Sequence, residues 1–139
     1  MNSIDFRREL HRHPELSFEE HRTQRFILDA LRAEGIECRE IATTGVLAKI
    51  EGERGNLSRC VVLRADIDAL PIEEQNDVEY RSENQGVMHA CGHDMHAAVL
   101  FGVLQEFARN RDFEGTLFGI FQPGEELNPG GAIKVLEEN

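Results

Sequence analysis

The sequence predicts an α/β fold with a mixed sheet, on three observations. An apolar helical stretch at residues 94–108 lies between two short strand-like segments, 60–64 and 116–121, the order of a β-α-β unit with parallel strands. Two more strand candidates, 36–41 and 46–50, are so close together that they read as an antiparallel hairpin. Two amphipathic helical patterns come before them, as an α/β layer arrangement requires.

The elements follow in chain order. Ser3 is placed to cap a first short helix that ends before His13-Pro14, because the residue before a proline is disfavoured in the helical region. Ser17 and Glu20 have the spacing of a capping box and open a second helix. Phe26, Ile27, Ala30 and Leu31 give that helix an apolar stripe, and Gly35 is its natural stop. Strands 36–41 and 46–50 are joined by a turn at Thr44-Gly45, and the loop 51–58 leads to strand 60–64, which runs out at Ala65-Asp66-Ile67-Asp68. Residues 69–90 read as a long irregular connection, a length that in compact domains marks function. Ala98, Val99, Gly102, Val103, Glu106 and Phe107 are the expected packing side of helix 94–108. The nearly continuous apolar run 116–121 reads as a central strand, and Gly130-Gly131 opens a last helix in which the sequence stops without a capping signal.

Composition narrows the function. The chain has 139 residues, enough to bury one core, and is 40% hydrophobic and 29% charged, which is globular. A net charge of -11 argues against nucleic acid or an anionic membrane as partner and is compatible with binding cations. No segment has the length and apolarity of a membrane span or the pattern of a signal peptide, so a cytoplasmic protein is expected. The three cysteines are odd in number and scattered, which is no disulfide framework. Cys38 and Cys60 lie in strand patterns and are expected in the core, and His11, His13 and His21 are expected to be structural.

The chemistry concentrates in Met88-His89-Ala90-Cys91-Gly92-His93-Asp94-Met95-His96 and in Glu125-Glu126. A thiolate and an imidazole two residues apart can grip one ion if the chain turns, and Gly92 supplies the freedom to turn. The competing view is a small buried cysteine beside a solvated histidine. His96, three residues past His93, shares its helical face and is a ligand, a group that orients one, or simple packing. Adjacent side chains on an extended segment point apart, so Glu126 can bind metal while Glu125 faces a water as general base. Taken alone, the pair would be two solvated loop acids. Asp66 and Asp68 fall on one face of their strand end; Asp68 is expected to orient a ligating histidine, and the role of Asp66 stays open. In an open α/β sheet all three clusters arrive at the carboxyl edge of the parallel strands.

Four ordered segments, "HRHPELSFEE", "RADIDALP", "MHACGHDMH" and "FQPGEE", resemble the amidohydrolase branch of the dinuclear metallo-carboxypeptidase and aminoacylase family, which includes hippurate hydrolases, N-acyl-amino-acid amidohydrolases and auxin-conjugate hydrolases. The resemblance implies a partial three-layer α/β/α metallopeptidase-like catalytic domain. It implies metal ligands at Cys91, His93 and Glu126, a catalytic base at Glu125 and an aspartate bracing the site at Asp68. It also implies two divalent ions per complete site, manganese or zinc first, with cobalt and nickel compatible. The implied substrate is a small N-acyl amino acid, and the implied full-length form is a homodimer. Two further histidine ligands and a lid domain belong to the family pattern, yet no histidine follows His96. Residues 1–139 are therefore expected to be the N-terminal part of a catalytic domain, inactive alone. The alternative is a short non-catalytic α/β domain that binds a metal or a partner.

Overall fold

A computed structural model of the chain describes residues 1–138. Four strands, β1 (Glu37–Ile41), β2 (Gly45–Glu51), β3 (Cys60–Asp66) and β4 (Thr116–Gln122), form one sheet in the order β1-β2-β4-β3. The β1–β2 and β2–β4 pairs are antiparallel and β3–β4 is parallel, so the sheet is mixed and β4 is central, as the sequence predicts. Helices α1 (Ser3–Arg12), α2 (His21–Ala33), α3 (His93–Arg109) and α4 (Gly131–Glu137) complete the mixed α/β architecture. Phe6 and Leu10 of α1, Ile27 and Leu31 of α2, Phe101 and Leu104 of α3 and the alternate residues Val46, Ala48, Ile50, Leu117 and Phe121 of the sheet share one core. None of the described helices is long and apolar enough to cross a membrane.

Several local expectations hold and several change. Helix α2 ends in a Schellman motif, with the Gly35 amide donating to Arg32 O, the Ile36 amide to Leu31 O, and Gly35 at φ 71°. Asn2, not Ser3, caps α1, its side chain accepting from the Asp5 amide at 2.9 Å. Ser3 instead packs against Gly102 of α3, where an added Cβ would lie 2.5 Å from the Ser3 hydroxyl. The Ser17–Glu20 capping box does not form. The left-handed Phe18 (φ 63°) turns both side chains inward, and Glu15 takes over the cap, accepting from the Arg22 and Thr23 amides. The hairpin turns through Ala42 and Thr43, both at positive φ, and Gly45 already belongs to β2. A side chain at Gly45 would run into Pro123 and the Phe121 carbonyl, which is why the strand starts with glycine there.

The packing face of α3 is also corrected. Ala98 is buried as expected, but with Ala97, Leu100, Phe101 and Leu104, whereas Val99 is 66% exposed and Phe107 38%. Residues 97–101 are apolar without a break, so periodicity alone does not choose a side; α1 and the sheet choose it. Cys60, expected in the core, is exposed along with Val61 and Val62, because β3 forms an edge of the described sheet. Cys38 packs partly buried against the core.

The connection 69–90 carries no regular element, but it is pinned. Bridges pair Leu16 with Ala69 and Leu70 with Met88, and Glu74, 2% exposed, accepts from the Ser82 amide and from Asn76.

Candidate metal centre

Parallel β3 and β4 end at the edge where α3 begins, so Asp66 and Asp68, Glu125 and Glu126, and Cys91 and His93 all arrive at one place. Gly92 makes the junction. It adopts φ 85° with open space around its Cα, so the reason for glycine is the backbone conformation and not a close neighbour.

His93 is the hub. It is 2% exposed, and its Nδ1 lies 3.0 Å from the Asp68 carbonyl and 3.1 Å from Asp68 Oδ1. Two acceptors at Nδ1 place the ring proton there and leave Nε2 as a free lone pair, the arrangement of a ligating histidine. Around Nε2 stand Asp66 Oδ2 at 3.7 Å, Glu126 Oε1 at 3.8 Å and Glu125 Oε2 at 3.9 Å. Cys91, His93 and Glu126 each offer one donor atom, all within 4.8 Å of one another. Asp66, His93 and His96 form a second such group, in which His96 Nδ1 lies 2.6 Å from Asp66 Oδ1.

Asp68 lies beneath the hub at 1% exposure. Its Oδ2 accepts from Ser17 Oγ at 2.6 Å and from the Glu126 amide at 2.9 Å, so one carboxylate ties the ring of His93 to the loop that carries Glu126. Burial alone would raise its pKa, but hydrogen bonds from His93, the Glu126 amide and Ser17 hold it at about 2. His93 is pushed the opposite way by the same contacts: burial disfavours its charge, yet Asp68 and Asp66 raise its pKa. The Cys91 thiol is raised by its hydrogen bond to Glu126, by burial and by the neighbouring carboxylates. Among the described residues, Arg64 is the cation that reaches this carboxylate group, at 2.9 Å from Asp66. Thiol, imidazole and carboxylate gathered in so anionic a place fit a divalent transition metal, whose charge would turn the thiol into thiolate.

The sequence reading placed Cys91, His93, Glu126, Glu125 and Asp68 here, and the structure brings all five together. His89 stands apart, 4% exposed, with neither ring nitrogen hydrogen-bonded and a pKa lowered to about 4, chiefly by burial. Two supporting residues were missed. Ser17 bonds Asp68, while Glu20, fully buried, accepts from Thr44 Oγ1 and from the Gly124 amide, fixing the turn before Glu125. The sequence signal existed, since Ser17 and Glu20 lie in the family-like segment "HRHPELSFEE", but capping spacing gave them a local explanation.

A buried clamp lies behind the site. His11, 3% exposed, places Nδ1 2.8 Å from Asp94 Oδ2 and Nε2 3.0 Å from Glu74 Oε1, and Arg7 Nε donates to the same Asp94 oxygen at 2.6 Å. Only imidazolium donates at both nitrogens. The Asp94 hydrogen bond raises the His11 pKa above its ordinary 6.5, against burial and with help from Glu74. A raised folded-state pKa gives stability that is complete below 6.5 and is lost as pH rises through the higher folded value. The melting temperature of the ion-free protein should therefore fall across that window. It should fall less in His11→Gln, a comparison that removes the parallel contribution of His93. Equal slopes in the two proteins would contradict the clamp.

Relatives place these residues in a known family. An N-acyl-L-amino acid amidohydrolase of Geobacillus stearothermophilus is 46% identical over 136 residues, covering 96% of this chain and 36% of that protein. An N-acetyl-L-cysteine deacetylase of Bacillus subtilis is 47% identical over 137 residues, covering 97% and 32%. A Bacillus subtilis crystal structure described as a dinuclear metal-binding peptidase superposes with a TM-score of 0.90 at 45% identity, covering 97% of this chain and 38% of that one. The chain thus spans about a third of the length of these relatives. The model of peptidase family M20/M25/M40 matches residues 62–139, the stretch running from β3 through both halves of the candidate centre, and the chain belongs to that family.

Proposed function

We propose that this chain contributes half of a dinuclear centre that hydrolyses the amide bond of N-acyl amino acids. The observation that carries the reading is Glu125 and Glu126 beside the free Nε2 of His93, with Cys91 completing the donor set. The names of three relatives, an N-acyl-L-amino acid amidohydrolase, an N-acetyldiaminopimelate deacetylase and an N-acetyl-L-cysteine deacetylase, support the substrate class, while two others are named thermostable carboxypeptidases, which also cleave an amide bond.

Cys91, His93 and Glu126 would hold the ion, zinc or manganese first, with cobalt and nickel also suited to this donor set. When bound, divalent ions there acidify a water and draw charge from a carbonyl oxygen. The chain's own residues do the rest. Asp68 keeps the His93 ring turned with Nε2 toward the site. Glu125, on the half-exposed loop after β4, takes a proton from the attacking water and passes it to the leaving nitrogen as the C–N bond breaks. Within this span Cys91, His93 and Glu126 supply the donors, and further ligands, the pocket for the amino-acid side chain and a dimer contact are proposed to come from residues outside it.

A chimera in which this segment replaces the matching residues of the Geobacillus relative tests the reading. It should hydrolyse N-acetyl amino acids, stop when a chelator strips the metal, and recover when manganese or zinc is returned. A folded, metal-loaded chimera that leaves the amide intact, or hydrolysis indifferent to the chelator, would contradict it.

A further inference from the structure

We propose that Asp66, His93 and His96 form a second position for a divalent cation, an alternative to the one made by Cys91, His93 and Glu126. The proposal uses the reading of that first position only in sharing His93. The three donors lie within 4.8 Å of one another, and they sit on regular elements: Asp66 ends β3, while His93 and His96 occupy the first turn of α3. Spacing of three residues on a helix puts both imidazoles on one side, and their ring centroids are 5.6 Å apart. Asp66 and His93 are buried and fixed, whereas the His96 side chain is 57% exposed and gives an ion access.

Donor geometry makes the two positions mutually exclusive. His93 Nδ1 is committed to Asp68, so Nε2 alone can bind, and one nitrogen serves one ion. Asp66 Oδ2 faces Arg64 at 2.9 Å and His93 Nε2 at 3.7 Å, and Oδ1 faces His96 Nδ1 at 2.6 Å. A cation would take the place of the proton between Oδ1 and Nδ1, with His96 carrying its proton on Nε2 instead, while Arg64 stays on Oδ2. The carboxylate is thus already the partner of one positive group and has a second oxygen for another. Two imidazoles and one carboxylate make a set without sulfur, suited to manganese, iron(II), cobalt or zinc. An ion can therefore remain on His93 when the thiolate of Cys91 is not available.

Cobalt(II) titration of the 139-residue chain, followed by absorption, separates the two positions, because only the first gives a thiolate-to-cobalt charge-transfer band. In Cys91→Ser the band should vanish while one cobalt per chain still binds, more weakly, with d–d absorption alone. Adding His96→Gln should abolish that residual binding. Both side chains are exposed, and circular dichroism checks that each variant is folded. Cys91→Ser protein that holds no cobalt, or that holds it equally well with His96→Gln, overturns the proposal. Wild-type chain that binds cobalt without the band, and loses it on His96→Gln, supports this position while refuting Cys91 as a ligand.

Discussion

Glu125→Gln in the chimera should lower amide turnover by about 10²–10⁴-fold and leave the metal content unchanged. Glutamine keeps the shape and the hydrogen-bonding reach of glutamate but cannot accept a proton at working pH. Glu125 follows the turn that Glu20 fixes through the Gly124 amide, and it reaches to 3.9 Å from His93 Nε2 with its side chain 42% exposed. It is therefore held near the candidate donor atoms yet open to water, as the proposed role of base requires. Since Glu126 and Cys91 are untouched, metal analysis should match the wild type, and the loss should fall on kcat more than on KM. Turnover within a few-fold of wild type would remove Glu125 from the role of base, and loss of metal would recast it as a ligand.

Asp68→Ala should have the largest structural effect. Its carboxylate, held at about 2, is charged at every ordinary pH and serves three donors, His93 Nδ1, Ser17 Oγ and the Glu126 amide. Alanine leaves one buried and two part-buried polar groups without that acceptor, a loss of about 2–4 kcal/mol by the cost of unmade hydrogen bonds. It also leaves the Asp68 carbonyl as the remaining acceptor at His93 Nδ1, loosening the ring, which should weaken metal affinity by about 10–100-fold. Asp68→Asn retains an acceptor and should fall between the two. Urea unfolding and metal titration read the two effects separately. An Asp68→Ala protein within about 0.5 kcal/mol of wild type would show that Asp68 is not the brace.

The order of helices and strands, the central place of β4 and the meeting of three clusters at one sheet edge were legible because they follow from periodicity and from the β-α-β rule. Local patterns failed where a tertiary partner outbid a local one. Ser17 and Glu20 have perfect capping spacing, yet Asp68, Thr44 and Gly124 claim them, and Glu15 caps the helix in their place. The packing side of α3 was hidden by its unbroken apolar run, and only the notch that Gly102 offers to Ser3 and the contact with the sheet select it. At the candidate site the motifs singled out Cys91, His93, Glu125 and Glu126 by donor type, and the fold gathers them from two separate segments. The pairing of Asp66 with His96 bridges β3 and α3 across 30 residues, and no sequence spacing encodes it.

A thiolate, an imidazole and a carboxylate of this chain are proposed to bind one ion. X-ray absorption at the zinc edge of the zinc-loaded 139-residue chain tests it most directly. One sulfur neighbour at about 2.3 Å, with nitrogen and oxygen neighbours at about 2.0–2.2 Å, is the predicted shell. The sulfur should disappear in Cys91→Ser. A wild-type shell of nitrogen and oxygen alone would contradict the account.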